Sequence, residues 1–406
     1  MQLDLGVNLE EAQERLVGLV APLPEEVLPL TRACGRILAR DLLLPRDVPP
    51  YPQAAVDGFA VNQEDLRKSG LRLALRGFLK AGDFPCFPVR PGEAVGVVTG
   101  GPLPEGTGAV LPHERVQVKG DLVIYEAGEI PAGSNIRLPG EDFRAGELVA
   151  RRGTRLGPGL IAVLAASGQK GVPVFRSPRV GILSLGREIV SWAAEPGPGQ
   201  VRDSNGPLLA ALVSRDGGEV AGVEAASDEQ PAAAISCLKR LLDEVDLVLT
   251  IGGTASEAGD RALFLLREIG ARPLFWGVRI KPGSHSGAAV WNARPVLSLS
   301  GNPAACAVGY ELLAAPVVRA LQGLRPYPRR LTALCVSAFS REGGPRRFLR
   351  GYAVCDLDGW RVAVLSGQKS SMMRSLIGCN ALIDLPAGHP PLEPGSQVSI
   401  ILLDRV

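Results

Sequence analysis

The stretch that most constrains the fold runs from residue 245 to residue 286, VDLVLTIGGTASEAGDRALFLLREIGARPLFWGVRIKPGSHS. Residues 246–251 are a short apolar and β-branched run that ends at Gly252-Gly253, and such a run predicts a buried parallel strand. A segment of helical periodicity follows, and residues 274–280 then read as a second strand. The stretch therefore predicts one right-handed βαβ unit, the kind of unit from which open parallel sheets are built.

The ends of these two strands carry groups that suit an anion. Gly252, Gly253 and Thr254 follow the first strand, Asp260 comes soon after them, and Lys281 follows the second strand. In open α/β sheets, ligands bind beyond the carboxyl ends of the strands. The residues alone therefore predict an anion pocket with an acidic group beside it.

The size and charge of the chain exclude several classes of protein. The chain has 406 residues, which allows roughly two to four domains, and its net charge of +2 gives no sign of nucleic-acid binding. No apolar run approaches the ~20 residues of a membrane helix, and the acidic N-terminus does not resemble a signal peptide. The seven scattered cysteines disfavour a disulfide framework and a zinc site, so a reducing cytoplasm is expected.

The periodicity of the chain changes along its length. Residues 9–20 predict an amphipathic helix, and residues 25–43 a second helical or mixed stretch. Short strands and turns dominate residues 70–150, which predicts a small, mostly β domain. Residues 178–320 alternate strands with helices, which predicts a doubly wound α/β domain, and the strands after residue 326 predict a barrel-like C-terminal domain.

Common catalytic motifs are missing from the sequence. It has no GxxxxGK[ST] loop, no complete GxGxxG after a strand, no HExxH and no nucleophile elbow. Its three histidines, His113, His285 and His389, disfavour a histidine-based triad.

What remains is a set of small polar residues and glycines where predicted strands end or predicted helices begin. They are Asp57, Thr99, Glu141, Asp142, Ser204, Asn205, Gly301, Asn302 and Pro303. Taken singly, each has an ordinary explanation as a turn residue or a helix cap. Two helix N-termini and two glycine turns on one sheet edge, however, favour a phosphate-bearing ligand. Asp228, Asp246 and Asp260 are candidate ligands for Mg²⁺, and Asp260 is the best placed.

Taken together and in order, these motifs resemble one family. They are VDGFAV, VVTGGPLPEGTGAV, GSNIR, GEDF, RVGILSLG, DSN, the Gly-Gly turn, IKPG and SGNPAA. The set resembles the molybdopterin molybdenumtransferase family, which includes the E domain of gephyrin, over roughly residues 5–400. The resemblance implies a multidomain α/β protein with a doubly wound molybdopterin-binding α/β domain, small mostly β domains and a C-terminal β-barrel-like domain. It divides the chain into four domains. The first combines residues 1–25 with residues 141–177, and the other three are residues 26–140, 178–326 and 327–406.

The resemblance also implies a reaction and a site. The reaction is the insertion of molybdate into adenylylated molybdopterin with release of AMP, assisted by Mg²⁺, in a cytoplasmic homodimer whose site lies between subunits. Possible partners are other cofactor-assembly proteins, with neither nucleic acid nor membrane among them. The implied catalytic residues are Asp57, Thr99, Asp142, Glu188 and Lys281, and Glu141 would line the same cleft. The residues implied to bind the pterin and nucleotide are Gly252, Gly253, Thr254, Ser204, Asn205, Gly301, Asn302 and Pro303. The implied metal ligands are Asp228 and Asp260.

The sequence departs from the family pattern at three positions in these motifs. Arg187 stands where an acidic residue is usual, Ser284 where a second lysine is usual, and Ser300 where a proline is usual. Losing one cation from an oxyanion site can lower the rate 10²-fold or more. The departures leave open an alternative, a pterin-binding or carrier protein of the same fold with weak or no turnover.

Overall fold

The computed structural model describes residues 4–227, 229–254 and 260–403. The chain divides into two compact units. The first unit comprises Met1–Glu26, Gly35–Ala39 and Val174–Val406, and the second comprises Val27–Cys34 and Arg40–Pro173.

Strands and helices are numbered in chain order within the described residues. The strands are β1 (Leu5–Val7), β2 (Glu25–Pro29), β3 (Leu42–Leu43), β4 (Gln53–Ala54), β5 (Gly58–Asn62), β6 (Leu71–Phe78), β7 (Glu93–Val97), β8 (Thr107–Pro112), β9 (Gln117–Lys119), β10 (Leu122–Tyr125), β11 (Ile136–Arg137), β12 (Leu148–Ala150), β13 (Gly171–Phe175), β14 (Arg179–Leu185), β15 (Ile189–Val190), β16 (Val201–Arg202), β17 (Glu219–Ala226), β18 (Leu247–Ile251), β19 (Arg272–Val278), β20 (Ile280–Lys281), β21 (Gly287–Trp291), β22 (Arg294–Leu299), β23 (Arg330–Cys335), β24 (Arg346–Asp356), β25 (Gly359–Val364), β26 (Ala381–Leu385) and β27 (Gln397–Leu402). The α-helices are α1 (Leu9–Val17), α2 (Pro158–Ala166), α3 (Asn205–Arg215), α4 (Pro231–Glu244), α5 (Arg261–Glu268), α6 (Pro303–Gly309) and α7 (Ala315–Leu321).

A seven-stranded sheet forms the centre of the first unit, in the order β1-β19-β21-β22-β18-β14-β17. Strand β18 lies between β14 and β22 and is parallel to both. Its side chains alternate between two cores: Leu247 and Leu249 pack on the face that carries α3, and Val248 packs on the face that carries α4 and α5. A strand covered on both faces is expected to be almost wholly apolar, which explains its LVLTI sequence; the one hydroxyl, on Thr250, forms a hydrogen bond with Ser298 Oγ at 2.7 Å.

The predicted doubly wound α/β domain is thus confirmed, with two differences in detail. Strand β21, which the periodicity did not reveal, runs antiparallel to both β19 and β22. The second strand of the opening stretch ends at Val278, and Ile280 and Lys281 form the separate strand β20. Strand β20 pairs in parallel with β24 of the C-terminal region. Lys281 therefore does not simply extend a strand of the α/β sheet, as the sequence had indicated.

The C-terminal region is a closed barrel, as predicted. Strands β24, β25, β23, β27 and β26 pair in that order, and β26 pairs back onto β24. Leu349 and Ala353 on β24 pack into the barrel core, whereas Phe348 packs against the core that contains β18. Successive side chains of β24 point to opposite faces, so this one strand contributes to both cores and joins the barrel to the α/β domain.

A long apolar helix lies behind the sheet. It runs over Pro303–Leu321 through α6, a π-helical segment at Tyr310–Ala314, and α7. By length and mean hydropathy it could cross a membrane, but its apolar window is wholly buried within the protein, as in the core helix of a globular domain. Inside it, Glu311 accepts two hydrogen bonds from Arg215, at 2.7 and 3.0 Å, which compensates a carboxylate in the core.

The second unit is mostly β, as its sequence predicts. Its main sheet has six strands in the order β8-β5-β7-β6-β10-β9. Strand β5 lies between β7 and β8 and is buried at all five positions. The stretch of residues 25–43, predicted as helical or mixed, is mixed: it forms β2, a 3₁₀ turn at Leu30–Arg32 and β3. Gly35, at φ 81°, adopts a left-handed conformation that ends the short turn.

A network of two arginines and an aspartate joins strands β23, β24 and β26 of the barrel and reaches helix α1. Arg346 donates to both carboxylate oxygens of Asp384, at 2.8 and 2.7 Å, Arg330 also donates to Asp384, and Arg346 reaches Glu10 at 2.6 Å. Burial raises the pKa of Asp384, but the hydrogen bonds from Arg346 and Arg330 outweigh burial and hold that pKa below its usual range. A carboxyl group whose pKa is lowered by folding stabilises the fold above the unfolded pKa, near 4, and loses that contribution as the pH falls further.

We therefore expect Asp384→Asn to lower the free energy of unfolding at pH 7 by about 3 kcal/mol, because two guanidinium groups lose their buried partner. Urea denaturation measures the change, and the difference from wild type is expected to shrink between pH 5 and pH 3. Asp358→Asn is the control, since Asp358 is 80% exposed in its ion pair with Arg361. Such an exposed pair contributes less than about 1 kcal/mol to the free energy of unfolding. Equal stabilities of the two variants would contradict the expectation.

Candidate active site

Three strand ends of the first unit meet at the predicted glycine turns. Gly252 and Gly253 have φ values of 79° and 65°, a conformation that glycine adopts without strain. A Cβ atom on Gly252 would lie 2.6 Å from the carbonyl oxygen of Leu185, and one on Gly301 would lie 3.4 Å from the Cα of Gly252. The ends of β14, β18 and β22 are therefore packed backbone against backbone, and a side chain at Gly252 would force them apart.

Asn205 links this cluster to the start of α3. Its Nδ2 donates to the carbonyl oxygen of Gly301 at 2.8 Å, while its Oδ1 is buried and has no hydrogen-bond partner among the described residues. A buried acceptor without a donor is costly, and a ligand N–H group placed there would remove the cost. The structure thus brings together three of the predicted binding residues, Asn205, Gly252 and Gly301.

The cap of α3 is Asp203, which directly precedes the predicted residues Ser204 and Asn205. Its Oδ1 accepts from the backbone N–H groups of Asn205 and Gly206 at 3.0 and 2.9 Å, and its Oδ2 accepts from Ser184 Oγ at 2.7 Å. Ser204 makes no capping bond and is exposed. Because Asp203 fixes the helix start, the side chain of Ser204 stays available at the rim of the cluster.

The predicted Gly301-Asn302-Pro303 turn lies directly before the long helix. Asn302 is exposed, its N–H group donates to Ser300 Oγ at 3.3 Å, and Pro303 is the first residue of α6. The N–H group of Ala304 is already bound to the carbonyl oxygen of Ser370 at 3.0 Å. The loop around Ser370 therefore lies against this turn and adds its own groups to the site.

Behind that loop is a buried cation that the sequence analysis missed, Arg350. It is 1% exposed, and it donates to Ser375 Oγ at 3.1 Å and to the carbonyl oxygens of Gly367 and Lys369 at 3.0 and 3.3 Å. No carboxylate is among these partners, and burial lowers the pKa of Arg350 to about 10. The loop thus holds an uncompensated positive charge next to the turn, which favours an anion there.

Lys281 lies on the wall of a cavity of about 860 Å³ in the first unit. Its side chain is exposed and forms no ion pair with a described residue, and Ser284 lines the same cavity. The loop that follows Lys281 packs on α6, because a Cβ on Gly283 would lie 3.6 Å from the carbonyl oxygen of Ala305. Lys281 is therefore an available cation on an element that contacts the helix beginning at Pro303.

Asp260 has a structural role that the sequence did not predict. It caps α5, with Oδ1 accepting from Leu263 N at 3.0 Å, and its Oδ2 accepts from Trp276 Nε1. Burial raises the pKa of Asp260, and these hydrogen bonds act in the opposite direction. Both oxygens of Asp260 accept hydrogen bonds from the protein, and its role as a metal ligand stays a prediction.

Asp260→Ala is accordingly expected to lower the free energy of unfolding by about 1–2 kcal/mol, through loss of the cap and of the Trp276 partner. Asp260→Ser is the matched variant, because serine still caps a helix and is expected to recover about half of the loss. Thermal denaturation of both variants measures this. A wild-type melting temperature in Asp260→Ala would contradict the capping role.

The remaining acidic candidates of the α/β domain lie at its surface. Glu188 is exposed and its carboxylate lies over Gly186, 2.9 Å from the position of a Cβ there. Arg187, the residue that replaces an expected acid, pairs with Glu229 at 3.0 Å. Its charge is thus compensated locally. Asp228, predicted as a metal ligand, lies outside the described residues.

In the second unit, Asp57 and Thr99 form a pair. Asp57 Oδ1 accepts from both the backbone N and the Oγ1 of Thr99, at 2.7 and 2.8 Å. These two hydrogen bonds hold the pKa of Asp57 below its usual range, and the bond from the backbone N–H group has the larger effect. Asp57 is therefore an ionised carboxylate whose Oδ2 accepts no hydrogen bond from the described residues.

Two further predicted residues of this unit stand apart from that pair. Glu141 accepts from Leu138 N at 2.8 Å, which closes a turn, and Asp142 is exposed with its backbone N–H bound to Val48. No hydrogen bond joins either carboxylate to Asp57 or Thr99 within the described ranges.

A magnesium site is not assembled by the residues that the structure describes. Among residues 4–227, 229–254 and 260–403, no group of three or more His, Cys, Asp or Glu side chains is arranged to hold a metal ion. Mg²⁺ often uses one or two carboxylates together with substrate phosphates. The described carboxylates by themselves do not form a complete site, and no catalytic step is derived through Mg²⁺.

Comparison with known proteins agrees with this architecture. The family model "MoeA N-terminal region (domain I and II)" matches residues 7–168, "Probable molybdopterin binding domain" matches 181–320, and "MoeA C-terminal region (domain IV)" matches 332–403. The chain is 30% identical over 403 residues to the molybdopterin molybdenumtransferase of Staphylococcus epidermidis, covering 98% of this chain and 96% of the relative. It is 28% identical over 404 residues to that of Staphylococcus aureus, with the same coverage. The crystal structure of a molybdopterin biosynthesis MoeA protein from Pyrococcus horikoshii superposes with a TM-score of 0.83 at 28% identity, covering 99% of this chain and 100% of that one.

The fold, the glycine cluster and these matches define a multidomain protein built around an α/β domain of the molybdopterin-binding type. The chain belongs to the molybdopterin molybdenumtransferase family. The resemblance predicted from the sequence motifs is confirmed.

Proposed function

We propose that this protein is a transferase of molybdenum cofactor biosynthesis that inserts molybdate into adenylylated molybdopterin and releases AMP. Its relatives in Staphylococcus bear the name of that transferase. The observation that carries the proposal is the cluster of Asn205, Gly252 and Gly301, in which a buried amide oxygen lacks a donor. The ring of a pterin carries N–H groups that suit such an acceptor.

Charge supports the same assignment. Both substrates are anionic, since one is an oxyanion and the other carries a phosphoanhydride. Lys281 is a cation without an ion-pair partner, and Arg350 is a buried cation without a carboxylate. Cations fixed where negative charge accumulates lower the barrier of such a step. We assign Lys281 to the approaching oxyanion and the turns at Gly252–Thr254, Ser204–Asn205 and Gly301–Pro303 to the pterin and nucleotide.

Asp57 and Thr99 complete the proposed site from a second copy of the chain. They lie in the second unit, whereas the glycine cluster and Lys281 lie in the first unit. An ionised carboxylate with a free oxygen suits the orientation of a water molecule or a leaving proton. Asp142 and Glu188 are proposed to add negative charge to the same cleft. The proposed assembly is therefore a homodimer.

The remaining features of the proposal are Mg²⁺ and the compartment. Asp228 stays a candidate ligand from the sequence alone, and dependence of turnover on Mg²⁺ is tested by removing the ion with EDTA and restoring it. The cysteines Cys34, Cys86, Cys237, Cys306, Cys335, Cys355 and Cys379 are free thiols, which supports a reducing cytoplasm.

The test is an assay of AMP release. Purified protein is mixed with adenylylated molybdopterin and Mg²⁺, with and without molybdate, and AMP is followed by chromatography. Release that requires molybdate is expected. Binding of the pterin without release would instead support the carrier alternative, which the serine at position 284 favours. Equal binding of plain adenine nucleotides would contradict recognition of the pterin.

A further inference from the structure

A second buried arginine, in the barrel, has no hydrogen-bond or ion-pair partner among the described residues. Arg347 is 7% exposed, and its position on β24 places it on the same side as Leu349, which packs into the barrel core. It forms no hydrogen bond or ion pair with a described residue, and its Nε atom is buried and unsatisfied. The neighbouring arginines of β24 differ, since Arg346 is bound to Asp384 and Arg350 to carbonyl oxygens.

The surroundings of Arg347 offer little compensation. Its guanidinium lies 5.9 Å from the centre of the Phe339 ring, a cation–π contact that offsets part of the cost of burial. Burial is the larger cause that lowers the pKa of Arg347, and the nearby positive charge of Arg341 lowers that pKa further. Two positive groups therefore lie close together where an ordinary buried arginine has a carboxylate.

The loop beside these arginines leaves one edge of the guanidinium uncovered. Gly343 and Gly344 have φ values of 67° and 79°, and even a Cβ on Gly344 would lie 3.9 Å from Arg347 Nη2. The loop is held in place, because Gly343 N donates to the carbonyl oxygen of His389 at 2.8 Å and Gly388 N donates to that of Gly344 at 2.9 Å. An exposed glycine over a buried guanidinium leaves room for a small ligand.

We propose that Arg347 and Arg341 bind a phosphate group, as inorganic phosphate or as the end of a small phosphomonoester, at the end of the barrel formed by residues 339–347. A phosphate dianion matches two guanidinium charges, and its oxygens match the fork of N–H donors on Arg347. The proposal does not rest on the proposed function, although Lys281 of the proposed active site pairs with Arg347 along β20 and β24.

Isothermal titration calorimetry with inorganic phosphate and with glycerol 3-phosphate, against sodium chloride at equal ionic strength, tests the proposal. We expect Arg347→Gln to weaken phosphate binding by roughly tenfold or more, and Arg341→Gln by several-fold because Arg341 is exposed. Arg361→Gln is the control, since Arg361 is an arginine of the same barrel that is paired with Asp356 and Asp358.

Stability gives a second readout. In phosphate-free buffer, Arg347→Gln is expected to melt at or above the wild-type temperature, because it removes an unpaired buried charge, and phosphate is expected to raise the melting temperature of the wild type more than that of the variant. Binding of phosphate or of both ligands that is lost in Arg347→Gln supports the site. Absence of wild-type binding, unchanged binding by the variant, or a variant that is less stable without phosphate would each overturn it.

Discussion

Lys281→Ala is expected to reduce molybdate-dependent AMP release by roughly 10²–10³-fold, because the proposed site loses the cation assigned to the oxyanion. The loss should be large because the usual second lysine is here Ser284, which leaves no spare amine in this motif. Steady-state assays over a range of molybdate concentrations measure the change. The fold should be unaffected, since Lys281 is exposed and forms no ion pair with a described residue.

Arg272→Ala provides the control for this variant. Arg272 is an exposed cation at the amino end of β19, at the edge of the sheet opposite the carboxyl ends that form the site. It is expected to retain wild-type turnover. Ser284→Lys tests the same charge argument in the opposite direction. Half-maximal turnover of this variant is expected at a lower concentration of molybdate. Wild-type rates in Lys281→Ala would refute the assignment of this lysine.

Mixing two inactive variants, Asp57→Ala and Lys281→Ala, is expected to restore activity if the site is shared between subunits. In a mixed dimer, one site combines Asp57 of one subunit with Lys281 of the other and is intact, whereas the second site carries both substitutions. Random exchange in equal amounts makes half of the dimers mixed, so roughly a quarter of the wild-type rate is expected.

The experiment needs subunit exchange, which partial unfolding and refolding of the mixture provides. Each variant refolded alone is the control and should remain inactive. A mixture that stays as inactive as its parents, with mixed dimers shown by mass spectrometry, would place Asp57 and Lys281 in one subunit. A monomeric protein would contradict the proposed assembly altogether.

Much of the fold could be predicted because its signals are local. Residues 178–320 alternate apolar strands with amphipathic helices, and the fully buried β18 reads as an unbroken apolar run. Strand β20 could not be recognised, because two residues have no periodicity. Its partner β24 is distant in sequence, since Ile280 pairs with Arg346, 66 positions further along the chain. The boundaries of the four domains remain a prediction.

The site was predictable only in part, for a similar reason. Glycine and asparagine at strand ends indicate a tight turn in which two backbone segments pack closely. The structure does bring Asn205, Gly252 and Gly301 together. Arg350 gives no such signal, because an arginine in a strand usually points to solvent and only tertiary packing buries this one. The role of Asp260 as a metal ligand stays a prediction, because a capping aspartate and a metal-binding aspartate look alike in sequence.

The position of β20 has a consequence for dissecting the protein. Because Ile280 and Lys281 pair with Arg346 and Arg347, the lysine is oriented by the barrel although it follows a strand of the α/β sheet. A fragment cut at residue 326 would keep every turn that is proposed to bind the pterin yet leave this lysine on an untethered segment. Excising the α/β domain for separate study should therefore preserve ligand capture while uncoupling it from turnover.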